Sequence, residues 1–377
     1  MNFTVEDLVR VAKRENNDKR PYLYVNPLQG KHIPAEPLTF KKMCKVLADK
    51  LNKRYTTDKI LIIGFAETAT AIAMEIAISL NNALYAECTT RENNEKSEFS
   101  YFTESHSHAT EQRLDTKNYK DILRTVDRVV FVEDEVTTGN TIMKLVDILK
   151  ENYADTSIRF TIASILNSMS EDREESIEKD GIDCIYVEKL PFEYCSDKIQ
   201  NVNVSPDEVW EKDLGGMQGA HIRNIYIDIN QRELTKVEYY REQVNYFTEC
   251  IFDDLKDVLH GQVVVIGTEE FMHPAVHVAS RIAESRLCES VKTHSTTRSP
   301  VLPSSDEGYP LYKRFIFNSV YDSDRTTYLY NLNSYDVVIL VSDAENEDNY
   351  IDICSAIKSA GNTLIYVYRW RSDSDEK

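Results

Sequence analysis

The sequence has no Cys-x-x-Cys pair, no run of Lys or Arg, no basic-then-apolar leader and no apolar stretch of bilayer length. Each absence excludes something. The seven cysteines, Cys44, Cys88, Cys184, Cys195, Cys250, Cys288 and Cys354, are odd in number and widely spread. That argues against a disulfide framework and for a reduced, cytoplasmic chain. Acidic residues outnumber basic ones 63 to 44, for a formal charge of −19, so the basic stripe that binds a phosphate backbone is missing and no nucleic-acid partner is expected. A small phosphate ligand stays open, because backbone amides and a metal ion can hold one. The most apolar stretch, around Ile72 to Leu80, is interrupted by Glu75, so no membrane association is expected. With 377 residues, 42% of them hydrophobic, the chain has room for two domains with a core each.

What is present is most informative at 129–141. Four apolar residues, Val129 to Val132, read as a buried strand, and Ile142, Leu145, Val146 and Leu149 follow at helical spacing. Between them stand the acids Glu133 and Asp134 and the turn Thr137, Thr138, Gly139, Asn140, Thr141. The first amides of a helix lack internal partners and lie at the positive end of its dipole, so this turn can surround a phosphate, with Gly139 allowing close approach. The acids, at the carboxyl end of the strand, can accept hydrogen bonds from vicinal hydroxyls about one ribose length away. Together they describe a site for a ribose 5-phosphate.

The pattern recurs. In the first half a helix near Phe40–Leu51 precedes a strand Ile60–Gly64, a helix through Ala69–Leu80, a strand Ala83–Cys88 and Thr-Thr-Arg at 89–91. In the second a helix near Tyr239–Leu259 precedes a strand Val263–Gly267, a helix through Ala275–Glu284, Thr-Thr-Arg at 296–298 and a strand Val337–Val341. Gly64 to Thr89 is 25 residues and Gly267 to Thr296 is 29, while Thr89 to Val129 is 40 and Thr296 to Val337 is 41. Alternating strands and helices predict parallel sheets, and the matched intervals predict a duplication. The second acidic turn, Val-Ser-Asp-Ala-Glu-Asn-Glu-Asp, has Asp343 but neither Thr-Thr-Gly nor any glycine, so it cannot cradle a phosphate in the same way. Pro, Gly-Gly and polar residues near 201–219 suggest the boundary, giving domains at 1–205 and 215–377.

Other residues complete a site. The Gly64-Phe65-Ala66-Glu67-Thr68-Ala69-Thr70 turn offers a second set of amides and hydroxyls for an anion, and Arg91 offers a two-toothed guanidinium. A long polar segment between Glu92 and Asn118 carries Glu104, His106 and His108.

The 129–141 stretch resembles the phosphoribosyl pyrophosphate (PRPP) loop of type I phosphoribosyltransferases, although the first acid here is Glu133 and Glu135 stands where an apolar residue is usual. Gly-Phe-Ala-Glu-Thr-Ala-Thr, Thr-Thr-Arg-Glu at 89–92, Glu-x-His-Ser-His-Ala at 104–109 and Thr-Arg-Ser-Pro at 297–300 are similar to the orotate phosphoribosyltransferase-like family with a C-terminal TRSP domain. Members of that family are associated with tellurium-resistance gene clusters and with synthesis of a nucleoside-like metabolite.

The resemblance implies a type I phosphoribosyltransferase-like parallel α/β domain followed by a related, degenerate Rossmann-like α/β domain. It implies transfer of 5-phosphoribosyl from PRPP to a base-like acceptor with release of pyrophosphate. Glu133 and Asp134 would be catalytic, Thr137 to Thr141 would hold the 5-phosphate, and Ala66, Glu67, Thr68 and Arg91 the pyrophosphate. Glu104, His106 and His108 would belong to a closing hood, and Mg²⁺ would be held mainly by PRPP, with no direct protein ligand. In the second domain Arg298, Ser299, Arg314 and Arg325 are candidates to gather around a phosphate or carboxylate of the acceptor. A homodimer and an internal pseudo-dimer both remain open. The competing expectation is a non-catalytic PRPP- or nucleotide-binding regulator.

Overall fold

Apolar runs of five or six residues, too short for helices and closed by glycine or polar turns, become the central strands of two parallel sheets. The computed structural model describes residues 3–17, 20–92, 99–103, 111–191, 199, 201–212, 220–230 and 232–372, with only the backbone described for 99–103 and 111. In chain order the elements begin with α1 (Val5–Leu8), β1 (Arg10–Lys13), β2 (Tyr22–Val25), α2 (Pro37–Arg54), β3 (Ile60–Gly64), α3 (Thr70–Ser79) and β4 (Ala83–Cys88). They continue with β5 (Phe99–Thr103), β6 (Glu111–Asp115), α4 (Tyr119–Leu123), β7 (Arg128–Val136), α5 (Asn140–Asn152), β8 (Arg159–Asn167), α6 (Glu171–Lys179) and β9 (Asp183–Lys189). The remainder are β10 (Ala220–Ile227), β11 (Thr235–Lys236), α7 (Val237–Leu255), β12 (Gln262–Gly267), α8 (His273–Ser285), β13 (Ser290–Ser295), β14 (Arg314–Asn318), β15 (Thr326–Tyr330), β16 (Val337–Ser342), α9 (Tyr350–Ser359) and β17 (Ile365–Ser372).

The chain divides into two units. The first takes Met1–Val5, Lys41–Tyr194 and Ile229–Glu242, and the second takes Glu6–Phe40, Cys195–Asp228 and Gln243–Lys377. In the first, the sheet order is β11-β4-β3-β7-β8-β9, parallel except for β11. Every residue of β3 is buried. One core joins Leu61, Ile63 and Phe131 on the sheet to Ile142, Leu145 and Leu149, the apolar stripe of α5. Gly64 ends β3 because a Cβ there would lie 2.4 Å from Ala73 Cβ of α3.

In the second unit the order is β10-β17-β16-β12-β13, parallel throughout. Val264, Ile266, Val338 and Leu340 pack with Ile353 and Ile357 of α9 and with Phe315 and Leu329 of the hairpin β14–β15. Gly267 ends β12 under a similar restriction, a Cβ there lying 2.5 Å from Phe271 O and 3.2 Å from Ala275 Cβ of α8. Both units are therefore parallel α/β sheets, as the alternation of strands and helices predicted. The polar segment after Glu92, for which no apolar period is visible, contributes the antiparallel hairpin β5–β6.

Candidate active site

In the first unit β4 lies on one side of β3 and β7 on the other, so the strand order reverses between β3 and β7, the position at which open α/β sheets bind ligands beyond the carboxyl ends of their strands. Two sequence-distant turns meet there. Thr68 Oγ1 donates to Asp134 Oδ1 at 2.8 Å, tying the turn after β3 to the acid pair. The acids lie within β7, which continues to Val136. Glu133 and Asp134 are half-buried, and burial pushes the Asp134 carboxyl above the ordinary range, with the Thr68 hydrogen bond opposing that shift. Glu135 turns to Ser168, whose hydroxyl donates to Oε1 at 2.7 Å.

The Thr-Thr-Gly turn is built as a helix start. Gly139 has φ +68° and precedes α5, a conformation costly for a residue with a Cβ, which here would also approach Ile177 Cδ1 to 3.1 Å. Thr137, Thr138 and Thr141 are half-buried and Asn140 is exposed. A residue without any sequence signal braces this turn: Arg173 of α6 donates from Nε to Thr138 O at 2.8 Å and from Nη2 to Asn140 Oδ1 at 3.0 Å.

The turn after β3 is held as firmly. Ala66 N donates to Thr89 Oγ1 at 2.8 Å, Ala66 O accepts from Gln112 Nε2 at 2.8 Å, and Thr89 Oγ1 donates to Gln112 Oε1. Ala66 and Glu67 are buried, and the peptide between them is cis. Arg91, half-buried, follows Thr90, whose backbone exchanges two 2.9 Å hydrogen bonds with Arg113. Arg113 Nη1 lies 3.4 Å from Glu92 O, and Arg232 Nη1 lies 3.4 Å from Thr90 Oγ1. Guanidiniums from two separated stretches, Arg113 and Arg232, thus reach the Thr90–Glu92 segment that holds Arg91, and neither carried a sequence signal. Glu104, His106 and His108 lie outside the described residues.

In the second unit, Arg298 Nε lies 2.5 Å from Glu269 Oε2 and its Nη2 3.4 Å from Glu270 Oε1. Arg325 Nη2 is 2.9 Å from the same Glu269 oxygen. Ser299 serves the backbone: its N donates to Thr297 Oγ1 at 3.2 Å and its O accepts from Tyr330 OH at 2.7 Å. Arg314 turns to Asp207 at 2.6 Å and Glu15 at 2.5 Å, so it does not share the carboxylate that gathers Arg298 and Arg325.

A parallel sheet with an acid pair and a glycine-opened helix start at its reversal point is an architecture suited to an anionic ligand. Residues 8–185 match the family described as phosphoribosyl transferase (PRTase_2), and 235–357 match the TRSP domain that lies C-terminal to it. The chain belongs to this phosphoribosyltransferase family with a C-terminal TRSP domain. Among solved structures it is similar to adenine phosphoribosyl transferase from Trypanosoma brucei in complex with AMP, pyrophosphate and ribose-5-phosphate. That match has 15% identity and TM-score 0.36, and covers 51% of this chain and 81% of that one. Orotate phosphoribosyltransferase from Aeropyrum pernix is similar at 17% identity and TM-score 0.32, over 48% of this chain and 87% of its own. A hypothetical protein from Neisseria gonorrhoeae with bound ppGpp gives 14% identity and TM-score 0.28, over 43% and 84%. No curated protein matches the chain. Among the described residues no helix is long and apolar enough to cross a membrane.

Proposed function

We propose that the first unit transfers a 5-phosphoribosyl group from PRPP to a base-like acceptor, releasing pyrophosphate. The observation that carries this reading is the 2.8 Å hydrogen bond from Thr68 to Asp134, which joins a turn suited to pyrophosphate to the acids suited to ribose. The amides of Thr137 to Thr141 hold the 5-phosphate at the start of α5. Glu133 and Asp134 accept from the 2- and 3-hydroxyls and stabilise the positive charge that grows on the sugar as the bond from C1 to the pyrophosphate oxygen breaks. The turn from Ala66 to Thr68, with Arg91, receives the leaving pyrophosphate, which takes the bonding pair with it. The acceptor nitrogen then supplies the pair for the new bond to C1. Orientation does most of this work, worth roughly 7–11 kcal/mol in favourable systems.

Mg²⁺ would be held mainly by PRPP itself, and the half-buried Asp134 carboxyl, its pKa raised by burial, would gain from a cation nearby. When bound, the ion would neutralise charge on the pyrophosphate. Because the anionic form of Asp134 is the one that works, activity should fall on acidification at a higher pH than an ordinary carboxylate would set.

The test is pyrophosphate release from PRPP and Mg²⁺ in the presence of a panel of purine and pyrimidine bases. Release with one base identifies the acceptor class. Calorimetric binding of PRPP without release for any base would replace this reading with that of a non-catalytic regulator. Absence of both heat and release would remove PRPP altogether.

A further inference from the structure

The second unit repeats three ties of the first. Thr89 N donates to Gly64 O at 2.8 Å and Thr296 N to Gly267 O at 3.0 Å. Thr89 Oγ1 accepts from Ala66 N at 2.8 Å and Thr296 Oγ1 from Glu269 N at 2.9 Å. Thr90 bridges Arg113 of β6, and Thr297 bridges Tyr328 of β15. Glu269 therefore stands where the first unit has Ala66, Glu270 where it has Glu67, and Arg298 where it has Arg91.

We infer that Glu269 is a built-in anion: its carboxylate fills, from within the chain, the position at which the second unit would otherwise clamp a phosphoryl group. The inference rests on assigning the equivalent turn of the first unit to pyrophosphate. Three cationic groups converge on residue 269. Arg298 and Arg325 reach its carboxylate, which also accepts from Ser319 Oγ, and Lys31 Nζ donates to its carbonyl oxygen at 2.7 Å and to Thr296 O at 3.0 Å. Glu269 and Lys31 are fully buried, Glu270 nearly so, and the Arg298 side chain is 11% exposed. Glu270 supplies the second carboxylate of the cluster. Removal of Glu269 would take one negative charge from among these cations. Buried cations robbed of a counter-ion recruit another anion, because an uncompensated buried charge is costly. Ala66 brings no carboxylate to the same place in the first unit, so an external anion is admitted there. The consequence is that only one of two matched crevices competes for PRPP.

The test is calorimetric titration of the full-length chain with inorganic pyrophosphate. Glu269→Ala should bind one more pyrophosphate per chain than wild type, and Glu269→Ala with Arg298→Ala should lose the extra site. Wild type binding one and the variant two supports both readings; none and one supports this inference while removing pyrophosphate from the first unit. Glu269→Gln preserves size and the Ser319 contact while removing the charge, and it carries the measurement if the alanine variant does not fold. Equal stoichiometry in wild type and Glu269→Gln, together with no rise in the variant's melting temperature on adding pyrophosphate, would overturn the inference.

Discussion

The two units share a skeleton and differ in the chemistry placed on it. Asp127 Oδ2 accepts from Lys59 N at 2.8 Å at the start of β7, and Asp336 Oδ2 accepts from Gln262 N at 2.7 Å at the start of β16. Gly64 pairs with Val132 and Gly267 with Val341, so Asp134 and Asp343 occupy one register position, and Glu133 is replaced by Ser342. Beyond that point they diverge. The first unit opens a helix start with Gly139. In the second, Arg369 donates to Ala344 O at 3.3 Å and to Glu345 O, and pairs with Glu347 at 2.5 Å. A turn whose carbonyls and carboxylate face a guanidinium is cation-holding, the reverse of a phosphate cradle. The skeleton supplies a crevice, and the turn chemistry decides what enters it.

The sharpest way to use this contrast is to make the same substitution in both copies. Asp134→Asn should lower turnover by roughly 10²–10³-fold or more, since the charge facing the developing cation is lost while the Thr68 hydrogen bond can persist. Asp343→Asn, held by Tyr321 OH at 2.6 Å, should leave turnover within about twofold. Pyrophosphate release by the two variants, with melting curves to show intact folds, checks the pair. Equal losses would mean that the second crevice takes part in the chemistry.

A second contrast lies at the opposite ends of the strands. Arg128 begins β7 and is buried between Asp58 at 2.7 Å, Thr161 at 2.9 Å and Asp183 at 3.4 Å, over the Tyr55 ring. The register places Val337 there in the second unit. Arg128→Val should destabilise the first unit by about 1–3 kcal/mol, because the contacts of the buried guanidinium are lost while Asp58 keeps Arg159 at 2.9 Å and Asp183 keeps Arg54 at 3.3 Å. Replacing all three by apolar residues should recover much of the loss. Urea unfolding of the two variants distinguishes these outcomes.

Much of this organisation was legible in the sequence, and the reasons are local. β3, α3, β4, β7, α5, β12, α8 and β16 announce themselves because buried parallel strands are continuous apolar runs and the helices that cover them are periodic. The Thr-Thr-Arg recurrence was readable because it fixes a backbone hydrogen bond in each copy. The grouping of Glu6–Phe40 with the second unit was not readable, since it rests on long-range pairings such as Ala35 with Thr293. Gln112, Arg113, Arg173 and Arg232 were not readable either, because no spacing rule links them to the turns they brace. The hairpin β5–β6 was not readable, because neither Phe-Ser-Tyr-Phe-Thr nor Glu-Gln-Arg-Leu-Asp keeps a clean alternation of apolar and polar residues.

Register pairs a third set. Ile63 pairs with Glu87 and Ile266 with His294, so one position holds a buried acid in the first unit and a buried base in the second. Burial raises the Glu87 carboxyl well above its ordinary range, against the hydrogen bond from Tyr119 at 2.6 Å. Burial lowers His294 to about 4, and Lys31 adds to the shift, against hydrogen bonds to Tyr330 O and Gly30 O. The signs are opposite. The unfolded histidine binds its proton near pH 6.5, so the His294 contribution is complete above that value and is lost as pH falls toward 4, up to roughly 3 kcal/mol. Glu87 favours the fold at low pH, and that contribution is lost as pH rises through its elevated folded pKa. Melting temperature against pH should therefore fall less steeply on acidification in His294→Gln than in wild type, and more steeply in Glu87→Gln.

The smallest expected effect concerns the turn that separates the copies. Arg173 spans the Thr-Thr-Gly turn from outside, its two donors fixing Thr138 O and Asn140 Oδ1, and Ser170 caps its helix by accepting from Arg173 N at 3.3 Å. The side chain acts on the ligand only through the geometry of the turn. Arg173→Ala removes two hydrogen bonds from a partly exposed site, worth about 1 kcal/mol together after solvent competition, or roughly fivefold in an equilibrium constant. If it positions the turn, KM for PRPP should rise about fivefold with kcat nearly unchanged, because the 5-phosphate is gripped alike in substrate and transition state. If it contacts the reacting centre instead, kcat should fall and KM should hold. Arg173→Lys can satisfy one of the two acceptors and should lie between wild type and alanine, so that the ordering of the three KM values reads out how far a brace outside the site sets the affinity within it.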